Sequence, residues 1–206
     1  MSFFVEPPVL IGNFVTIEPL ALRHAQALFE IGSDPGIWRW LPESHFTTEQ
    51  DAENYIGRAL ELRETGEEFP FAVTDLASGR LAGTTRYLEI SETNRGIEIG
   101  WTWYGVDFQR TPVNTETKLL LMEYAFEKMN AIRLQLKTDS RNLRSQTAIQ
   151  RIGATLEGTL RNHRILPKDG YIRDTVYFSV IDSEWPAVKA HLQEMLMPRM
   201  FDETDQ

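Results

Sequence analysis

Cysteine is absent from this 206-residue chain, which excludes disulfides, a cysteine nucleophile and cysteine-ligated zinc. Histidine is nearly as scarce. His24, His45, His163 and His191 are scattered, without the H-x-x-x-H spacing of a zinc-binding helix, so no metal is expected. No apolar run approaches the roughly eighteen residues of a membrane span. The start, MSFFVEPPVL, lacks the basic flank and small-residue cleavage site of a signal peptide. The expected setting is therefore the cytoplasm, with no membrane partner. Basic charge is also in short supply: a net charge of −9 argues against nucleic acid as the main partner, because duplex binding needs phosphate-neutralising cations.

What is present suffices for one core. Hydrophobic residues make up 42% and aromatic residues 11%, and no low-complexity segment divides the chain. A single domain over 1–206 is expected, with its core at about 13–185 and a C-terminal helix and tail over 183–206. Charge is unevenly spread. Residues 131–173 hold nine Lys and Arg against three Asp and Glu, a basic third inside an acidic chain. Such a division suits an anionic, phosphate-bearing ligand at one end and a cationic substrate at the other. Solvated faces of ordinary helices and strands are the competing reading.

Periodicity orders the elements. NFVTIEPL alternates as a strand ended by Pro19, and ALRHAQALFEIGSDPG has helical spacing until Gly32 and Pro35. IWRWLPESHF reads as a loop. Thr47 and Gln50 form a candidate capping box for a helix with Ala52, Tyr55, Ile56, Ala59 and Leu62 as its stripe, stopped by Gly66. FPFAVTD, RLAGTTRYLEI and RGIEIGWTWYG, joined by turn-rich links, predict an antiparallel meander. A helix carrying Leu119, Met122, Phe126 and Met129 then leads to the strand IRLQLKT, and the crossover pairs the two flanking strands in parallel. The helix NLRSQTAIQRIG, the strands LEGTLRNHRIL and IRDTVYFSVI, and a terminal helix from Ser183 complete an α+β order.

The turn FQRTPVNTETKLLL lies where a strand hands over to a helix, at the carboxyl edge of the sheet. A helix amino terminus leaves N–H groups unpaired and carries partial positive charge, so it can cradle phosphate. Thr111, Asn114, Thr115 and Thr117 are small enough for close approach, and Asn114 or Thr115 suits the N-cap position. Pro112 preorganises the first turn and removes one donor. Taken alone, the turn reads more simply as a plain capped helix.

Its neighbours resemble a family. The element order and local text are similar to the GCN5-related N-acetyltransferases (GNAT), particularly their RimJ/RimL-like branch. FQRTPVNTET aligns with that branch's pyrophosphate loop, Q/R-x-x-G-x-G/A: Phe108, Gln109, Thr115 and Glu116 match, while Pro112 and Asn114 replace both glycines. NLRSQTAIQRIGATLEG resembles the family's N-x-x-S helix through Asn142, Ser145, Arg151, Gly153, Glu157 and Gly158. IEIGWTW and DGYIRDTVYFSVIDSEW resemble its fourth strand and its closing strand pair.

The resemblance implies a mixed central sheet, an antiparallel meander plus a splayed parallel strand pair, flanked by helices. It implies acetyl-CoA as co-substrate, with Gln109, Arg110, Thr111, Val113, Asn114 and Thr115 around the pyrophosphate, Asn142 on the pantetheine arm, and Arg110, Arg144 or Arg151 near the adenosine phosphate. The acetyl group passes directly to a primary amine, a protein N-terminus or a small molecule. Glu98 is the candidate base, since the apolar Ile97 and Ile99 point to the other face. Ser145 is the candidate acid, because Ile149 stands where many members carry tyrosine. Trp38, Trp40, Trp101 and Trp103 are candidates for the acceptor site, with core packing as the alternative for each. Glu116 and Lys118 read as ordinary surface residues. A homodimer is compatible with this reading, and a catalytically inactive acyl-CoA-binding protein is the alternative.

Overall fold

In the computed structural model, which describes residues 3–4 and 6–197, the alternating runs of the sequence become strands of one sheet. They are β1 (Leu10–Ile11), β2 (Val15–Pro19), β3 (Glu68–Asp75), β4 (Leu81–Ser91), β5 (Gly96–Tyr104), β6 (Arg133–Asp139), β7 (Thr155–Ile165) and β8 (Ile172–Ile181). Their spatial order is β1-β2-β3-β4-β5-β6-β8-β7. Every neighbouring pair is antiparallel except β5 and β6, which are separated by a helical crossover long enough to reverse the chain.

The parallel pairing stops almost at once. Gly96, Ile97 and Glu98 face Arg133, Leu134 and Gln135, and beyond them the strands part. A bulge lies on the diverging stretch: Arg86 pairs with Gly100 and Thr84 with Trp103, so Trp101 and Thr102 together oppose Thr85. Trp101 takes a left-handed φ of 52°, which an L-residue adopts only under such a local constraint.

The helices are α1 (Ala25–Gly32), the short α2 (Pro35–Trp38), α3 (Glu49–Glu64), α4 (Pro112–Glu123), α5 (Leu143–Arg151) and α6 (Trp185–Leu196). One core joins Ile97, Ile99, Leu134 and Phe178 of the sheet to Leu121 and Met122 of α4 and Leu192 of α6. A second gathers Leu28, Trp38, Phe46, Tyr55 and Ile56 with Ala72, Leu81 and Trp103. Side chains alternate across a strand, so the neighbours Glu98 and Ile99 belong to opposite faces.

Local details depart from the sequence reading for identifiable reasons. Thr48, not Thr47, caps α3, and Asp51 rather than Gln50 answers it; Thr47 binds the same carboxylate. The loop after α1 holds the extra turn α2 because Asp34 accepts from the Gly36 N–H and Pro35 fits the first helical position. The last helix starts at Trp185, two residues after Ser183, and residues 198–206 of the expected tail lie outside the described residues.

Glu116 and Lys118 are the main correction: neither is a surface residue. The α4 helix is covered by the sheet and by α6, and an unbroken run from Thr115 to Leu119 is buried. The Glu116 carboxylate, 2% exposed, accepts the backbone N–H groups of Asn13 (2.8 Å), Phe14 (2.6 Å) and Val15 (2.8 Å). Lys118 Nζ donates to Thr102 Oγ1 at 2.8 Å on the bulge, and its burial lowers its pKa to about 7.

Candidate active site

Glu98 is the last residue of β5 to pair with β6, so its carboxylate lies at the vertex of the splay. It is completely buried. Oε2 accepts from Gln135 Nε2 at 2.9 Å and pairs with Lys137 Nζ at 3.0 Å, while Oε1 has no hydrogen-bond partner among the described residues. That free oxygen leans over Gly100, where an added Cβ would stand 2.9 Å away. Burial pushes the pKa of Glu98 up, against the pull of the Lys137 ammonium and the Gln135 amide. A raised pKa makes this carboxylate a stronger base than an exposed one.

The turn before α4 is built from its own caps. Thr111 is the N-cap, in place of the expected Asn114 or Thr115: its Oγ1 donates to the Phe108 carbonyl at 2.7 Å and accepts from the Val113 N–H at 3.4 Å. Asn114 and Thr115 lie inside the first turn, too far along to cap it. Arg110 takes the left-handed φ of 65°. The N–H groups of Arg110 and Thr111 have no partner among the described residues, and the helix's first turn adds that of Asn114. Pro112 supplies none, and the Val113 side chain is buried in the core.

Two arginines of α5 reach this turn. Arg144 Nη1 donates to Gln109 Oε1 at 2.9 Å, and Gln109 Nε2 donates in turn to the Tyr104 carbonyl at 3.1 Å. Arg151 Nη2 donates to Thr115 Oγ1 at 3.1 Å. The basic segment thus delivers guanidinium groups to a helix amino terminus, whose partial charge has the same sign. Asn142 caps α5 by accepting from the Ser145 N–H at 3.2 Å, leaving its own amide hydrogens free of that bond. Ser145 is half-buried one helical turn from the cap, and Ile149 is buried.

The tryptophans divide. Trp38 and Trp103, 2% and 4% exposed, are core residues: their rings lie 4.9 Å apart, and their indole N–H groups go to the Gly32 carbonyl and the Tyr55 hydroxyl. Neither lines an acceptor site, because the second core closes over both. Trp40 and Trp101 are half-buried, but their rings already meet arginines of the chain. Arg39 and Arg141 lie 4.8 and 5.1 Å from the Trp40 ring, and Arg86, paired with Glu68 at 2.6 Å, lies 4.5 Å from Trp101.

The model of an acetyltransferase (GNAT) domain matches residues 15–155. The chain belongs to the GNAT acetyltransferases. It is 26% identical over 169 residues to the uncharacterized N-acetyltransferase YnaD of Bacillus subtilis (strain 168), covering 82% of this chain and 94% of that one. A GCN5-related N-acetyltransferase from Brucella melitensis superposes with a TM-score of 0.89 at 34% identity, over 98% of this chain and 91% of that chain. The expected fold, a mixed sheet with one splayed parallel pair, is the family's. The microcin C7 self-immunity acetyltransferase MccE, solved with acetyl-CoA and AMP, shares the fold at a TM-score of 0.73 and 21% identity, over 82% and 93% of the two chains.

Lys137, Gln135 and Gly100 escaped the sequence reading. The alternation of IRLQLKT did place Gln135 and Lys137 on one face; only the parallel register shows that this face is also that of Glu98.

Proposed function

We propose that this GNAT acetyltransferase moves the acetyl group of acetyl-CoA directly to a primary amine, with Glu98 as general base. The observation that carries this reading is the enclosed carboxylate at the splay vertex, with one oxygen free. The turn supports a pyrophosphate on the amides of Arg110, Thr111 and Asn114, with Arg144 and Arg151 near the remaining phosphates. Asn142 is positioned to donate to an amide carbonyl of the pantetheine arm. MccE, with the same fold, was solved with acetyl-CoA bound, which favours that donor.

Glu98, directly or through a water, takes a proton from the acceptor ammonium. The amine nitrogen then attacks the thioester carbonyl carbon. The tetrahedral oxyanion is met by backbone N–H groups of β5 freed beyond the splay. Its collapse breaks the C–S bond; the nitrogen sheds its second proton to water as the amide forms, and Ser145 passes a proton to the leaving thiolate while regaining one from water. A peptide or protein N-terminus leads the acceptors, following the RimJ/RimL-like resemblance.

The test combines titration of acetyl-CoA into the protein with a thiol-release assay over peptides, amino acids, polyamines and aminoglycosides. Binding and amine-dependent thiol release are expected. Tight binding with no release for any amine would establish the inactive acyl-CoA-binding alternative instead.

A further inference from the structure

Arg173 stands near the start of β8, where that strand reaches the open end of the splay. Its neighbours in alternation, Thr175 and Tyr177, pair with Asp139 and Lys137 of β6, so all of these side chains share the sheet face of Glu98. The residue is 8% exposed. Among the described residues its guanidinium has neither a hydrogen bond nor an ion pair, and its Nε is fully enclosed. Arg164 faces it across the β7–β8 ladder, a like-charge pairing that gives no relief. Burial lowers its pKa first; Asp139 opposes that and Arg164 adds to it. A buried cation left in this state is costly unless something arrives to meet it.

Two enclosed acceptors on the same face are also unmatched. Asp139 spends Oδ1 on the Arg141 N–H at 2.8 Å, leaving Oδ2 enclosed and without a partner among the described residues. Glu98 Oε1 is the other. All three lie on one sheet face: Glu98 pairs with Gln135, Asp139 follows four residues along β6, and Thr175, two residues after Arg173, pairs with Asp139. One unmet guanidinium and two unmet carboxylate oxygens are complementary to a ligand that brings an anion and an ammonium together.

We infer that the acceptor is a primary amine that also carries a carboxylate, its carboxylate held by Arg173 and its ammonium turned toward the unmet carboxylate oxygens of this face. Arginine is the residue suited to this, because its planar fork matches a carboxylate with two parallel donors. The rings at this end agree. Trp40 and Tyr171 both pack against Arg141, at 5.1 and 3.5 Å, so the aromatic surface there is engaged by a cation of the chain itself. The inference rests on the acetyltransferase reading above and moves its substrate class from whole-protein N-termini to free amino acids and short peptides.

The experiment compares each of a panel of free amino acids and short peptides with its carboxamide, in acetyl-CoA-dependent thiol release by the wild-type protein. The carboxamide has the less basic amine and more of it is unprotonated at neutral pH, so intrinsic reactivity favours the amide. The expected result is the reverse, with kcat/KM at least about tenfold higher for the carboxylate, the factor that ~1.4 kcal/mol of differential binding gives. Arg173→Gln should raise KM for the carboxylates and leave the amides nearly unchanged, with Arg173→Lys recovering part of the preference. Equal use of acids and amides by the wild-type protein overturns the inference and leaves amine acetylation standing. Absence of transfer to every amine removes both. The wild-type panel decides even if an Arg173 variant does not fold.

Discussion

Lys137 Nζ lies 3.0 Å from one oxygen of Glu98 and 3.7 Å from Glu89, so a single ammonium on β6 sets the charge balance of the carboxylate at the splay. Lys137 lowers a Glu98 pKa that burial raises. In the proposed mechanism the base works deprotonated, so the acid limb of kcat is expected to follow the Glu98 pKa. Lys137→Met should move that limb to higher pH, and an unmoved limb would show that some other group titrates. Glu98→Gln should cut kcat by about 100-fold or more with acetyl-CoA affinity nearly unchanged, whereas Ser145→Ala should cost less, since water can stand in for a hydroxyl donor.

Gly100 offers a test that leaves every titratable group in place. A Cβ there would meet Glu98 Oε1 and Leu88 Cδ2, each at 2.9 Å. Gly100→Ala should therefore displace the carboxylate from the vertex, lowering kcat while costing about 1–3 kcal/mol of stability, as overpacking does. Calorimetric titration should find acetyl-CoA affinity preserved. Unchanged turnover would show that the position of Oε1 over Gly100 is irrelevant to the chemistry.

The proposed pyrophosphate turn is tested through charge. Arg110→Glu should weaken acetyl-CoA binding by roughly tenfold at low salt, and the gap between variant and wild type should shrink as salt is added. Pro112→Gly should hold or tighten binding by restoring an N–H, at a small entropic cost to the fold. A dissociation constant insensitive to Arg110→Glu would place the phosphates elsewhere.

Glu116→Ala should be among the most damaging substitutions for stability. It strands three backbone N–H groups at the start of β2; that of buried Val15 costs about 1–3 kcal/mol when left unpaired, and those of half-buried Phe14 and exposed Asn13 cost less. Gly12→Ala attacks the same contact from the other side, because its Cβ would fall 2.4 Å from the Glu116 carboxylate. Chemical denaturation should show the two losses to be less than additive. Additive losses would mean that the residues act independently.

The order of elements was legible because strand alternation and helix stripes are local signals, and the parallel pair followed from one crossover, while its splay came from the family resemblance. The face of Glu98 was legible for the same reason: Ile97 and Ile99 fix it. What the sequence hid depends on partners remote in the chain. Glu116 and Lys118 read as surface residues because their partners, the amides of residues 13–15 and the Thr102 hydroxyl, have no local signature. Arg173 entered only as one positive charge among nine; its isolation shows only when β8 is laid beside β6 and β7. Trp38 and Trp103 carried no mark distinguishing a core indole from a binding one.

The Glu116 clamp also imposes an order of events on synthesis. Its three bonds join positions 101 to 103 residues apart, so β2 leaves the ribosome long before the carboxylate that caps its amides exists. Until α4 has emerged, β2 has only β1 and later β3 to pair with, and its leading N–H groups face water or other chains. Contacts of such separation are closed late and slow the assembly of the sheet. The α4 helix is thus also the latch of the nascent chain, and β2 is secured only once the segment proposed to receive the acetyl donor is in place.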